Sequence, residues 1–176
     1  MLITLTLLLL SLISVAPQID SNIIEERFIK ITTFVTECSF RESEFTPQLL
    51  YEALIFNGIQ NPDIVLKQSI VETGNFTSNL FIATNNPFGM HLASSRQTIT
   101  NEFVYGDYYD GQLHKMAKFN CWYDAVVDFK YWQTYWLNDV LTESQYYVFL
   151  DTLPYAANPN YVNIVKSITL NITIGS

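Results

Sequence analysis

The sequence is poor in basic residues and in charged residues of any kind. Its 176 residues hold 9 Lys and Arg against 17 Asp and Glu, a net charge of −8, and the pI is near 4.5. Because nucleic-acid affinity depends largely on basic side chains at phosphates, this balance excludes DNA or RNA as the main partner. Charged residues make up only 15% of the chain, which also disfavours acidic substrates held mainly by charge.

Cysteine and histidine are equally scarce. The chain has two of each, Cys38 with Cys121 and His91 with His114. Their spacing matches no metal-binding motif, so we expect no structural metal and no cofactor. The two cysteines could form a disulfide in an oxidising compartment or remain two buried thiols, and the sequence leaves both possibilities open.

Long hydrophobic runs are absent except at the start of the chain. Residues 1–16 (MLITLTLLLLSLISVA) contain no charged side chain and end in small residues that suit a cleavage site. A transmembrane helix needs about 20 apolar residues, whereas the apolar region of a signal peptide takes roughly 7 to 15. We therefore predict a signal peptide and export to the periplasm, envelope or extracellular space. An uncleaved N-terminal anchor, the only predicted membrane contact, and a buried helix are the alternatives.

Aromatic residues, by contrast, are plentiful. They make up 15% of the chain, enough to build a sizeable core and to leave aromatic surface for a ligand. Residues 22–174 contain no linker, repeat or low-complexity tract, so we predict that they form one continuous domain.

Helix signals dominate this domain. Six helices are predicted, at about 23–37, 47–56, 62–73, 122–137, 143–150 and 161–169, the first of them capped by Asp20 or Ser21. Thr46 and Asn61 each precede a proline and are predicted to cap the second and third helices through their side chains. Gly58 and Gly74 stand where those two helices should end.

The segment 96–120 has a different character. It is rich in Thr, Tyr, Phe and Val, and Asp110-Gly111 is a hairpin-turn signal, so we predict a small β lobe of two or three short strands. A helical body interrupted by such a lobe is a mainly helical α+β fold with a natural cleft between its two parts.

Glu72 is a carboxyl in the predicted helix 62–73 that has no basic partner on its own face of the helix. Apolar residues lie around nearly the whole helix, which predicts that the helix is buried, and its only basic residue, Lys67, lies on another face. Burial and the negative end of the helix dipole both favour the protonated form of Glu72. A carboxyl that keeps its proton near neutral pH can act as a general acid. The alternative is a glutamate whose carboxylate simply reaches solvent.

Four sequence motifs occur in the same order along the chain as in a known protein family. They are IVLKQSIVETG at 64–74, NNPFGM at 85–90, FNCWYDAVVDF at 119–129 and YAANPNY at 155–161. Together they resemble the glucosaminidase domain of bacterial peptidoglycan hydrolases, glycoside hydrolase family 73. The resemblance implies a lysozyme-like fold with a small β lobe flanking the substrate cleft. It also implies hydrolysis of the β-1,4 bond after N-acetylglucosamine in the glycan strands of peptidoglycan.

The resemblance further implies roles for individual residues. Glu72 matches the family's general acid. The residues that match substrate-binding positions are Asn86, Phe88, Gly89, Tyr155 and Tyr161. For Phe88 and Tyr161, packing in the core is the alternative.

A second carboxyl is harder to assign. Glycosidases normally use two carboxyls, about 5 to 5.5 Å apart for retention and about 6.5 to 9.5 Å apart for inversion. The candidates from the β lobe are Glu102, Asp107 and Asp110, and Glu102 ranks first because Thr100-Asn101-Glu102 is similar to an arrangement in the family. The 2-acetamido group of the substrate is an alternative to a second carboxyl.

Two other functions stay open for the same fold. One is a non-catalytic glycan-binding or structural protein of an envelope or virus particle. The other is a lytic transglycosylase, which would leave an anhydro sugar.

Overall fold

The computed structural model describes residues 21–109, 111–153, 156 and 158–172. The predicted signal peptide, Asp110 and Tyr155 lie outside the described residues, as does the side chain of Asp107. The described residues divide between Ser39 and Phe40 into two units. In the first unit, the described residues are all helical, and Lys30 pairs with Glu26 one turn earlier at 2.6 Å.

The described part of the chain contains seven helices and one hairpin. In chain order they are α1 (Ser21–Glu42), α2 (Pro47–Phe56), α3 (Pro62–Glu72), α4 (Asn79–Thr84), β1 (Phe103–Tyr109), β2 (Gln112–Ala117), α5 (Trp122–Trp136), α6 (Glu143–Thr152) and α7 (Tyr161–Ser167). The strands pair antiparallel, with Phe103 opposite Ala117. This mainly helical fold with a small two-stranded lobe confirms the predicted lysozyme-like α+β class.

Local signals set most of the helix boundaries. Thr46 caps α2 as predicted, because its side chain accepts a hydrogen bond from the Leu49 amide at 3.1 Å. Gly58 follows that helix with φ of 60°, in the left-handed region that ends helices. The cap predicted at Asn61 was wrong. Its backbone is left-handed, whereas capping needs an extended residue, and its side chain donates instead to the Leu141 carbonyl at 3.1 Å.

The end of α3 is a sharp reversal directly after Glu72. Gly74, Asn75 and Phe76 all have positive φ, at 56°, 59° and 63°. Thr73 stabilises the turn, since its hydroxyl accepts from the Phe76 amide at 2.8 Å. The chain therefore leaves α3 at once, and Glu72 stays at the helix end.

The core of the second unit lies between α2, α3, α5 and α7. Phe40, near the end of α1, stacks on Tyr123 with ring centroids 5.3 Å apart, and Arg41 forms an ion pair with Asp124. Helix α7 packs against α3. This packing brings the first residue of α7, Tyr161, to the helix that ends in Glu72.

A buried ion pair attaches the segment before the β lobe to α5. Arg96 and Asp128 are 2.7 Å apart, with side chains 8% and 1% exposed. The other oxygen of Asp128 accepts from the Ile99 amide at 3.0 Å. The lobe has two strands among the described residues, and His91 adds an isolated antiparallel bridge to Met116 of β2.

No helix in the described ranges is long and apolar enough to cross a membrane. Cys38 and Cys121 are both free thiols.

Candidate active site

Glu72 is partly buried beneath the loop that follows α4. The backbone of Gly89 lies directly against it, since a Cβ atom at that position would be only 2.9 Å from Oε2 of Glu72. Gly89 also has φ of 61°, which residues with a side chain rarely adopt. The structure thus brings together Glu72 and Gly89, which come from two of the four sequence motifs.

The surroundings of Glu72 favour its protonated form. Burial raises the pKa of Glu72 from 4.5 to about 7, and a hydrogen bond with Tyr161 acts in the opposite direction. Among the residues that the structure describes, no Lys or Arg forms an ion pair with Glu72. The predicted partial burial of Glu72 and the preference for its protonated form are therefore confirmed. Such a group can give up a proton near neutral pH.

Tyr161 lies beside this carboxyl and is only 6% exposed. Its hydroxyl is hydrogen-bonded to Glu72 and accepts from Nε2 of Gln68 at 3.3 Å. Burial and the negative charge of Glu72 raise the pKa of Tyr161, so its hydroxyl keeps the proton that it donates. The contact with substrate predicted for Tyr161 stays a prediction, whereas its bond to Glu72 is part of the fold.

Asn86 organises the loop that carries Gly89. Its side chain, which is 4% exposed, donates to the carbonyls of Met90 and Ala117 at 2.8 and 3.0 Å and accepts from the Met90 amide at 3.1 Å. Ala117 is the last residue of β2. The side chain therefore ties the loop to the β lobe, and its predicted contact with substrate stays a prediction.

Phe88 anchors the same loop to the core. Its side chain is 1% exposed and its ring centroid lies 4.4 Å from that of Phe129 in α5. The structure therefore places Phe88 in the core-packing position that was the alternative to its role in the cleft. Tyr155, the remaining residue of the predicted set, lies outside the described residues.

Glu102 has different surroundings. Its side chain is 65% exposed, and Oε2 lies 3.5 Å from Nζ of Lys118. It lines a pocket of about 260 Å³ together with Asn101, Asn120 and Asp124. This set of neighbours is separate from the residues around Glu72, and the role of second carboxyl stays a prediction for Glu102.

Two side-chain contacts of the fold were not predicted from the sequence. Gln68 contacts the hydroxyl that bonds to Glu72, and the signal for it was the four-residue spacing that puts both side chains on one face of a helix. The pair of Arg96 and Asp128 had no such signal, because the two residues are distant in sequence.

Comparison with known families identifies the domain. Residues 48–173, which begin in α2 and end one residue after the last described one, match the family model described as glucosaminidase, mannosyl-glycoprotein endo-beta-N-acetylglucosaminidase. Comparison with curated protein sequences found no significant match.

Proposed function

The chain belongs to the glucosaminidase family of glycan hydrolases, and we propose that it is an endo-β-N-acetylglucosaminidase of the cell envelope or extracellular space. In this proposal it cleaves the β-1,4 bond after N-acetylglucosamine in peptidoglycan, with Glu72 as the general acid. The observation that carries the proposal is the raised pKa of Glu72. Burial raises the pKa of this carboxyl to about 7. A general acid works best when its pKa lies near the working pH.

The first step is proton transfer to the glycosidic oxygen. The proton of Glu72 moves to that oxygen while the bond between the oxygen and C1 breaks. The ionised carboxylate left on Glu72 then keeps a hydrogen bond from Tyr161. Because hydrogen bonding to the charged form stabilises it, Tyr161 favours the state that exists after the transfer.

The positive charge that develops at C1 needs a partner on the opposite side of the ring. Glu102 is one candidate, and the carbonyl oxygen of the 2-acetamido group is the other. The exposure of Glu102 and its pairing with Lys118 support the acetamido group, since a solvated and paired carboxylate stabilises a distant charge weakly. In that route the carbonyl oxygen bonds to C1. Water then attacks C1 and gives a proton to Glu72, so that a bond from C1 to the water oxygen forms as the bond to the carbonyl oxygen breaks. The product is a reducing N-acetylglucosamine.

Mass spectrometry of the products tests this function. Purified peptidoglycan is incubated with the native protein, with Glu72→Gln and with Glu44→Gln, the same change at an exposed glutamate. We expect fragments with a reducing N-acetylglucosamine end from the native protein and from Glu44→Gln, and almost none from Glu72→Gln. Undiminished release by Glu72→Gln would rule out its assignment. Anhydro-muramic ends would identify a lytic transglycosylase, and no products from any protein would indicate a glycan-binding or structural role.

A further inference from the structure

Gln68 occupies an unusual position in α3. Its side chain is 1% exposed and lies one helical turn before Glu72. Its Nε2 donates to the hydroxyl of Tyr161 at 3.3 Å, while its Oε1 is buried without a hydrogen-bond partner. A buried amide oxygen without a partner costs free energy, so this placement needs a reason.

The two ends of the amide have opposite effects on Tyr161. When the amide of Gln68 presents its N–H end, the hydroxyl of Tyr161 accepts a hydrogen bond from it. The proton of that hydroxyl then points to another acceptor. With the oxygen end towards it, the same proton would be drawn to Gln68. Glu72 is the other acceptor, so the orientation of the Gln68 amide decides whether Glu72 receives this proton.

We propose that Gln68 is a positioning residue that directs the proton of the Tyr161 hydroxyl to the carboxyl of Glu72. The reason for the unpartnered oxygen is then that the amide must present its N–H end to Tyr161. Calling Glu72 the general acid rests on the proposed function, whereas the chain of hydrogen bonds from Gln68 through Tyr161 to Glu72 does not.

Few other groups act on this carboxyl within the described part of the chain. Tyr161 faces it from α7, the backbone of Gly89 faces it from the loop, and Tyr146 of α6 acts electrostatically on Tyr161. Lys67, the basic residue of α3, lines a pocket with α6 and α7 residues instead. A change at Gln68 therefore reaches Glu72 through Tyr161. A hydrogen bond that a hydroxyl accepts strengthens the hydrogen bond that it donates. Loss of Gln68 therefore weakens the hydrogen bond from Tyr161 that stabilises ionised Glu72.

The test is an NMR titration of the Glu72 carboxyl in the full chain, with the signal assigned by its loss in Glu72→Gln. Gln68→Met keeps the length of the side chain and removes both ends of the amide. Gln68→Leu also removes both ends of the amide and adds no charge, so it carries the test if the Met variant does not fold. We expect the proton affinity of Glu72 to rise roughly threefold in either variant.

Gln133 offers a matched control. It is also a buried glutamine, 2% exposed, and its Nε2 donates to the hydroxyl of Tyr146 at 3.2 Å. Gln133→Met should leave the titration of Glu72 unchanged. In a Tyr161→Phe background, Gln68→Met should have no further effect on Glu72, because the residue that connects them is gone.

An unchanged or lowered proton affinity of Glu72 in a folded Gln68 variant would overturn the proposal. A lowered affinity would mean that Gln68 competes with Glu72 for the Tyr161 proton. The titration requires no turnover. If Glu72→Gln kept full activity while Glu72 still responded to Gln68, the proposed function would fail and the positioning role would stand.

Discussion

Glu72 and Glu102 are the same amino acid in two contrasting environments. Glu72 lies at the end of α3, against Gly89 and bonded to Tyr161. The Glu102 side chain is 65% exposed and lies 3.5 Å from Lys118. Burial raises the pKa of the first carboxyl to about 7, whereas the second has solvent and a cation around it. The surroundings of Glu72, and not its residue type, favour its protonated form.

This difference assigns unequal roles to the two residues. A proton donor must keep its proton until the leaving group needs it, which requires a site that disfavours the charged carboxylate. An electrostatic stabiliser needs the opposite, a permanent charge that water does not screen. Glu72 meets the requirement for a proton donor. Glu102 meets the requirement for an electrostatic stabiliser poorly, because water screens the charge of its exposed side chain.

The largest expected effect is on catalysis. Glu72→Gln should lower the rate of peptidoglycan cleavage about a thousandfold, because general-acid catalysis contributes about 10² to 10⁴, while Glu102→Gln should lower it less than about tenfold. The measurement is the initial rate of muropeptide release, with Glu44→Gln as the control. Equal losses for both variants would remove the contrast and make Glu102 a full partner.

The next largest loss of activity is expected at Gly89, whose backbone lies against the carboxyl of Glu72. Gly89→Ala would put a Cβ atom 2.9 Å from Oε2 of Glu72, so the carboxyl must move, and we expect about a tenfold to hundredfold loss of activity. Gly111→Ala is the matched control. Its φ is also positive, at 84°, but nothing lies within 4 Å of the added Cβ atom. A similar loss of activity in both alanine variants would show that backbone strain, and not the contact with Glu72, is the cause.

The pH dependence of stability should report on the carboxyl of Glu72. Because the folded-state pKa of Glu72 is raised to about 7, the folded protein binds a proton more tightly than the unfolded chain, and stability falls as pH rises from about 4.5 to 7. The free energy of unfolding of Glu72→Gln, relative to that of the native protein, should therefore be about 3 kcal/mol higher at pH 8 than at pH 4. Urea denaturation at the two pH values measures this. No difference between them would mean that Glu72 ionises in the folded state as it does when unfolded.

The smallest effect concerns the partner of Glu102. Lys118→Ala should change the free energy of unfolding by less than about 0.5 kcal/mol, since exposed ion pairs contribute little. The change should shrink further in high salt. A loss of more than about 2 kcal/mol would contradict the view of Glu102 as a solvated group.

Local patterns predicted much of this molecule. The apolar circumference of α3 and the position of Lys67 on another face predicted the buried carboxyl of Glu72. Thr46 before Pro47 predicted the start of α2. The six-residue helix α4 was not predicted, because it is too short to show a period. Asn61 was misassigned, since its side chain bonds to a distant carbonyl that no local pattern reveals.

The hydrogen bonds around Glu72 and the attachment of the segment before the β lobe both depend on contacts between residues that are distant in sequence. Gln68 and Tyr161 are 93 positions apart, and Arg96 and Asp128 are 32 apart. Such pairs follow from how α7 packs on α3 and how the segment before the β lobe packs on α5. The sequence therefore identified the carboxyl, while its hydrogen-bond partners required the fold.

The most direct test of the central claim, that Glu72 donates the proton to the leaving group, compares two leaving groups. The natural sugar leaving group needs a proton, whereas a dinitrophenyl group on a chitooligosaccharide leaves without one. Glu72→Gln should lose about a thousandfold in rate on the natural bond and less than about tenfold on the dinitrophenyl substrate. An equal loss on both substrates would contradict the claim.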